Sequence, residues 1–144
     1  MMCVYKWTVN KMPHYSYEHT FIAGGDKAHQ EEEEMECSQG ILKNVMIAFA
    51  AGCHGVVHIH IDETLHQIFP TNPNGTYKFN DVAVIIYSPY VLLPSTRKIY
   101  LRGWNEGIYN HTIYLSFEIE PAEKVSAVDK AILEMAKIIK EVLT

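Results

Sequence analysis

Most of this chain alternates between apolar and polar positions. Over residues 15–21, Tyr15, Tyr17, His19 and Phe21 fall on one side of an extended chain and Ser16, Glu18 and Thr20 on the other, because side-chain direction in a strand repeats every two residues. Residues 4–9 are rich in β-branched and aromatic side chains and predict a strand ahead of it. Residues 41–50 predict a strong strand in which Val45, Ile47 and Phe49 alternate. Residues 51–55 supply a turn, and residues 56–62 then return as the second arm of a hairpin. A short extended run at 66–69 is closed by Pro70, Pro73 and the Asn74-Gly75 pair, all turn formers. Residues 82–87 are apolar on both faces and predict a central strand covered from both sides. Residues 98–104 and 112–120 complete the set. In the last, Ile113, Leu115, Phe117 and Ile119 face a core while Tyr114, Ser116, Glu118 and Glu120 face out.

Short strands at this spacing, with no helices between them, predict a mainly β domain over residues 1–121, an antiparallel β-sandwich or jelly roll. The pattern changes at Pro121. Proline suits a helix entry, and Glu123 places an acid in the first turn. Val125, Val128, Ile132, Met135, Ile139 and Val142 then recur at alternating spacings of three and four, a heptad seam flanked by Glu134, Lys137, Lys140 and Glu141. Leu133, Ile138 and Leu143 widen the stripe. Residues 122–144 therefore predict one amphipathic C-terminal α-helix, which either packs on its own sandwich or serves as an oligomerisation helix meeting copies of itself. Its polar face is not strongly basic, which argues against a membrane-surface helix.

Composition narrows the setting. With 144 residues, 48% hydrophobic and 20% charged, the chain suits one globular domain. A net charge of −5 argues against nucleic acid as a partner, since phosphate binding needs clustered Lys and Arg. Cys3, Cys37 and Cys53 are odd in number and lack CxxC spacing, so reduced thiols are expected rather than a disulfide framework. The first residues hold no continuous apolar region and no run is long enough to span a bilayer, so a cytoplasmic or virion location without a signal peptide or membrane partner is expected. Asn74-Gly75-Thr76 and Asn110-His111-Thr112 match the glycosylation sequon but read as turns. The acidic run Glu31-Glu32-Glu33-Glu34 reads as a solvated loop, or as one charged face near a strand start.

Candidate chemistry concentrates in residues 52–63, where Gly52 is followed by His58, His60, Asp62 and Glu63. The G-x5-H-x-H spacing resembles the opening of the metal-binding cupin motif. That resemblance implies a divalent transition metal such as Zn, Fe, Mn or Ni, held by His58 and His60 with a third histidine, His111. Three features oppose it. Val57, Ile59 and Ile61 claim the core side, leaving His58 and His60 facing solvent. Glu63 comes too early and on the wrong face, and the residues before His111 lack the proline-glycine pattern of the second cupin motif. The expectation is therefore no metal and no cofactor, with a cupin-like metalloprotein as the alternative. A second alternative is a carbohydrate-binding module that uses Trp104 with Tyr109 or Tyr100 as a stacking platform. No serine lies in a G-x-S-x-G elbow, Cys53 and His54 are neighbours only in sequence, and no phosphate loop follows Gly24-Gly25, so no catalytic residues are assigned.

The stretches HQIFPTNPNG (66–75) and RGWNEGIYNHTIYLSFEI (102–119) resemble small uncharacterised β-sandwich proteins of viruses and mobile elements, a resemblance spanning residues 41–120. It implies a virion component such as a minor capsid, decoration or tail-associated protein, forming homo-oligomers alongside other structural proteins. The leading expectation is accordingly a non-enzymatic structural protein.

Overall fold

The computed structural model describes residues 12–92, 98–121 and 127–143, with the side chains of 127–130 excepted. The strand expected over residues 4–9 lies outside them. Within the described residues the elements are β1 (His14–Phe21), β2 (Glu31–Glu36), β3 (Gly40–Phe49), β4 (Val57–Glu63), β5 (His66–Phe69), β6 (Val82–Ile86), β7 (Tyr90–Leu92), β8 (Lys98–Asn105), β9 (His111–Glu120) and the helix α1 (Ala127–Leu143). The strands form two antiparallel sheets. The first runs β1-β9-β3-β6, with β7 also paired to β3, and the second runs β2-β8-β4-β5. The inner faces close over one core, in which Phe21, Leu42, Ile47, Ile113 and Phe117 of the first sheet meet Met35, Val57, Ile59, Ile61 and Leu101 of the second. This is a mainly β, β-sandwich architecture with one C-terminal helix, as the alternation predicts.

Where alternation is clean the reading holds. In β9, Ile113, Leu115, Phe117 and Ile119 are at most 1% exposed, and they pair with β1 so that Leu115 lies opposite Tyr17 and Phe117 opposite Tyr15. Both tyrosine rings stack on Phe117. β3 and β9 pair with a register shift between Lys43 and Met46, where Asn44 takes a φ of 52°. The shift divides the far edge of β3 in two. β7 takes Gly40 to Leu42 and β6 takes Val45 to Phe49.

Three expectations are corrected. β3 and β4 are not a hairpin: they belong to different sheets, so the 50–56 segment is a crossing from one layer to the other. Asn80 braces that corner, its Oδ1 accepting from the backbone N–H of Gly52 at 2.9 Å and of His54 at 3.0 Å. Gly52 and Gly55 supply the positive φ values of 104° and 74° that the corner demands. β6 is not a doubly covered central strand. Among the described residues it pairs with β3 alone, and Val82 and Ile85 are 44% and 47% exposed.

The acidic run is the start of a strand and not a loop, though its carboxylates fall on both faces and not one. It forms β2, paired to β8 with Glu32 opposite Arg102 and Glu34 opposite Tyr100. Glu32 reaches Arg102 and Glu34 reaches Lys98, each at 2.9 Å. On the other face, beside buried Met35, Glu31 and Glu33 bracket His19 of β1 at 3.0 and 3.2 Å, tying the two sheets together at their open side.

Candidate functional site

The histidine strand faces as alternation predicts but is not solvated as expected. Val57, Ile59 and Ile61 lie in the core, and His58, His60 and Asp62 project from the outer face of the second sheet. Yet His60 is only 8% exposed and Asp62 5%. Two things cover them. Register places His58 opposite Trp104, His60 opposite Arg102 and Asp62 opposite Tyr100, so large side chains crowd the same face. The 70–76 segment then folds over it. Gln67 holds that segment by donating from Nε2 to the carbonyls of Pro70 at 2.8 Å and Gly75 at 3.0 Å, and Tyr77 exchanges backbone hydrogen bonds with Ile59.

A continuous polar network results. His60 Nδ1 lies 2.7 Å from Asp62 Oδ1, and His60 Nε2 lies 2.6 Å from Gln30 Oε1. Arg102 donates from Nη1 to Asp62 Oδ2 at 2.7 Å and to the Thr64 carbonyl, and from Nε to Glu32 at 2.9 Å. Its guanidinium also lies 4.5 Å from the Tyr100 ring centre. Burial works to raise the pKa of Asp62, but the hydrogen bonds from His60 and Arg102 outweigh it and hold the carboxyl below its ordinary value. One row along, His58 stacks on Trp104 with ring centres 4.6 Å apart. Trp104 Nε1 donates to Glu106 at 2.8 Å, a bond that leads the lowering of the Glu106 pKa.

The network borders a cleft of about 80 Å³ lined by Lys27, Gln30, His60, Gln67, Thr76 and Trp104, with Asn74 and Gly75 at its rim. The arrangement presents hydrogen-bond donors and a histidine held from behind by a carboxylate. Alternation along β8 marks Arg102 and Trp104 as sharing a face, but sequence gave no sign that they neighbour His60 and His58, because cross-strand register is set by distant pairing. Gln30 and Lys27 carried no signal at all.

The other sequence-predicted residues are dispersed. His111 opens β9 in the first sheet, opposite Phe21, while His58 and His60 belong to the second. Among the described residues no group of three His, Cys, Asp or Glu side chains is placed to hold a metal ion. Trp104 is 5% exposed with a ring face against His58, Tyr100 lies under Arg102, and Tyr109 is 69% exposed on the β8–β9 loop, so the three form no open platform for a sugar. The Cys53 thiol is buried, which pushes its pKa up, opposite to the activation a nucleophile needs. Of the seam, Val125 lies outside the described residues and Val128 falls within α1. Ile132, Met135, Ile139 and Val142 are 51%, 61%, 54% and 77% exposed. Comparison with protein-family models, curated proteins and solved structures returns no match.

Proposed function

We propose that this chain is a non-enzymatic assembly subunit that forms homo-oligomers through α1. The observation that carries the reading is the uncovered seam. Ile132, Met135, Ile139 and Val142, with Ile138 and Leu143 beside them, are all more than half exposed, and apolar surface gathered on one helix face marks an interaction site. Lys140, on the flank of the seam, holds α1 to the sandwich through Glu63 at 2.9 Å, so the helix is anchored while its apolar face stays open.

The partner we assign is a second copy of the same helix. Alternating three-and-four spacing is self-complementary, each apolar knob entering a hole between four residues of a like helix. Ile132 and Ile139 occupy one core position, Met135 and Val142 the other, and the flanking Ala131, Ala136, Ile138 and Leu143 are apolar. β-branched Ile132 and Ile139 fill one core position, while unbranched Met135 shares the other with Val142, a pairing that leaves the number of helices open. The resemblance of residues 41–120 to sandwiches of viruses and mobile elements gives this subunit a setting, as a minor capsid, decoration or tail-associated component. Among the described residues no helix is long and apolar enough to cross a membrane.

The test is solution mass. By light scattering the full chain is expected at two subunits or more, and Ile132→Asp with Ile139→Asp is expected as a folded monomer. An unchanged mass in the double variant overturns the reading.

A further inference from the structure

The assembly reading rests on α1 and leaves the edge of the first sheet at β6 unused. Among the described residues β6 pairs with β3 alone, so its second edge carries backbone groups that no other described strand takes up. The ladder decides which groups those are, because residues of an antiparallel strand turn alternately to one neighbour and the other. Ile119 donates from its backbone N–H to the Pro13 carbonyl at 3.0 Å, so odd-numbered residues of β9 turn to β1 and even-numbered ones to β3. Ser116 and Tyr114 therefore bond Met46 and Ala48, and Ile47 turns the other way, to Val84 of β6. Val82, Val84 and Ile86 are engaged with β3. The N–H and C=O groups of Ala83 and Ile85 point outward.

The side chains along this edge are apolar. The strand reads Val82-Ala83-Val84-Ile85-Ile86, with neither a charge nor a proline to blunt it. Val82 and Ile85 are both exposed, and Tyr87, just past the strand, is 74% exposed. Ile85 lies opposite Met46, itself 38% exposed, so the apolar surface runs inward from the edge across the outer face of the first sheet.

We infer that β6 pairs antiparallel with β6 of a second copy about Val84, joining the two first sheets into one. The fit of the strand to itself assigns the occupant. A two-fold through Val84 sets Ala83 of each copy opposite Ile85 of the other, so the outward N–H and C=O groups of both meet. On the outer face a large side chain then covers a small one. Val82 comes opposite Ile86 on the core side. Past the strand ends, Asp81 of one copy comes opposite Tyr87 of the other, a carboxylate facing a phenol donor and not a second carboxylate. Five residues a side make a small interface, so the contact alone is weak, with a Kd on the order of 1 mM. A chain whose seam is disabled therefore stays a monomer at light-scattering concentrations. Copies already joined through α1 present several such edges at once, and avidity strengthens the contact.

Amide hydrogen exchange, read by two-dimensional NMR on the full chain carrying Ile132→Asp and Ile139→Asp, tests the pairing with the seam disabled. Between about 50 μM and about 1 mM, exchange at Ala83 and Ile85 is expected to slow about twofold, while amides of α1 keep their rates. Ile85→Pro removes an outward donor without touching a bond to β3, which an edge strand tolerates. It is expected to stay folded and to abolish the slowing at Ala83. Ile85→Lys, a charge at the same exposed position, is expected to abolish it as well. Exchange that does not depend on concentration, or slowing that survives both substitutions, would overturn the pairing. Failure of the α1 reading registers separately, as a mass that the seam substitutions leave unchanged in a chain already carrying Ile85→Lys.

Discussion

Asp62 carries more of the outer face than its size suggests. It accepts from both His60 and Arg102 while 5% exposed, and removing one member of a buried charged network strands the rest. Asp62→Asn is expected to cost about 2–4 kcal/mol in urea unfolding at neutral pH. The acid dependence follows from the same bonds. The folded carboxyl has a lowered pKa, so its contribution is present above the ordinary carboxylate range and is lost as pH falls through the folded value. The urea midpoint of the wild type should therefore fall more steeply with acid than that of Asp62→Asn, and parallel curves would refute the role. Cys37 gives a second residue-scale expectation. Burial, helped by the charge of Glu36, pushes its thiol to about 11, and the thiolate is the reactive form. In a Cys3→Ser background, alkylation at mildly alkaline pH is expected to proceed only as fast as the chain unfolds. Rapid labelling of the native protein would contradict this.

Among the elements, β4 and β8 are pressed together most closely at Gly103. A Cβ there would come within 2.0 Å of the His58 carbonyl oxygen and 3.0 Å of the Ile59 Cα, both backbone atoms with no rotamer to yield. Gly103→Ala is expected to cost roughly 3 kcal/mol, measured as a lowered urea midpoint, and a midpoint within error of wild type would show that the two strands can part. This glycine shows what the sequence revealed and what it concealed. β1, β4 and β9 were legible because one face of each is apolar and the other polar, which is the imprint of a half-buried strand. β2 was not, since carboxylates on both faces leave Met35 as its one apolar inward residue. The crossing at 50–56 was misread because a glycine turn looks the same whether the chain returns within a sheet or changes layer. β6 was misread because an apolar run records what a strand could bury and not what lies over it. The candidate site was half legible: His58, His60 and Asp62 share a face by periodicity, whereas Arg102, Gln30 and Lys27 join them only through long-range register.

For the molecule as a whole, the sandwich and the helix meet at a charged contact. Glu63 is 7% exposed and pairs with Lys140 beside Tyr90, whose hydroxyl is pushed up to about 12 by burial and then by Glu63. Detaching α1 would leave a buried carboxylate facing a phenol that resists ionising. Lys140→Ala is therefore expected to speed hydrogen exchange across α1 and to lower the unfolding midpoint of the sandwich, and unaltered exchange would show that the ion pair does not anchor the helix.

The acidic strand β2 has a consequence for how such a protein survives at high concentration. Among the described residues it is an outermost strand, and an outermost strand is an open template on which a neighbouring chain can add its own backbone. Two copies of β2 laid side by side would bring five carboxylates from each together, an excess of negative charge that Arg102, Lys98 and His19 offset only in part. That excess charge disfavours backbone addition along the β2 margin when copies collide in a crowded solution.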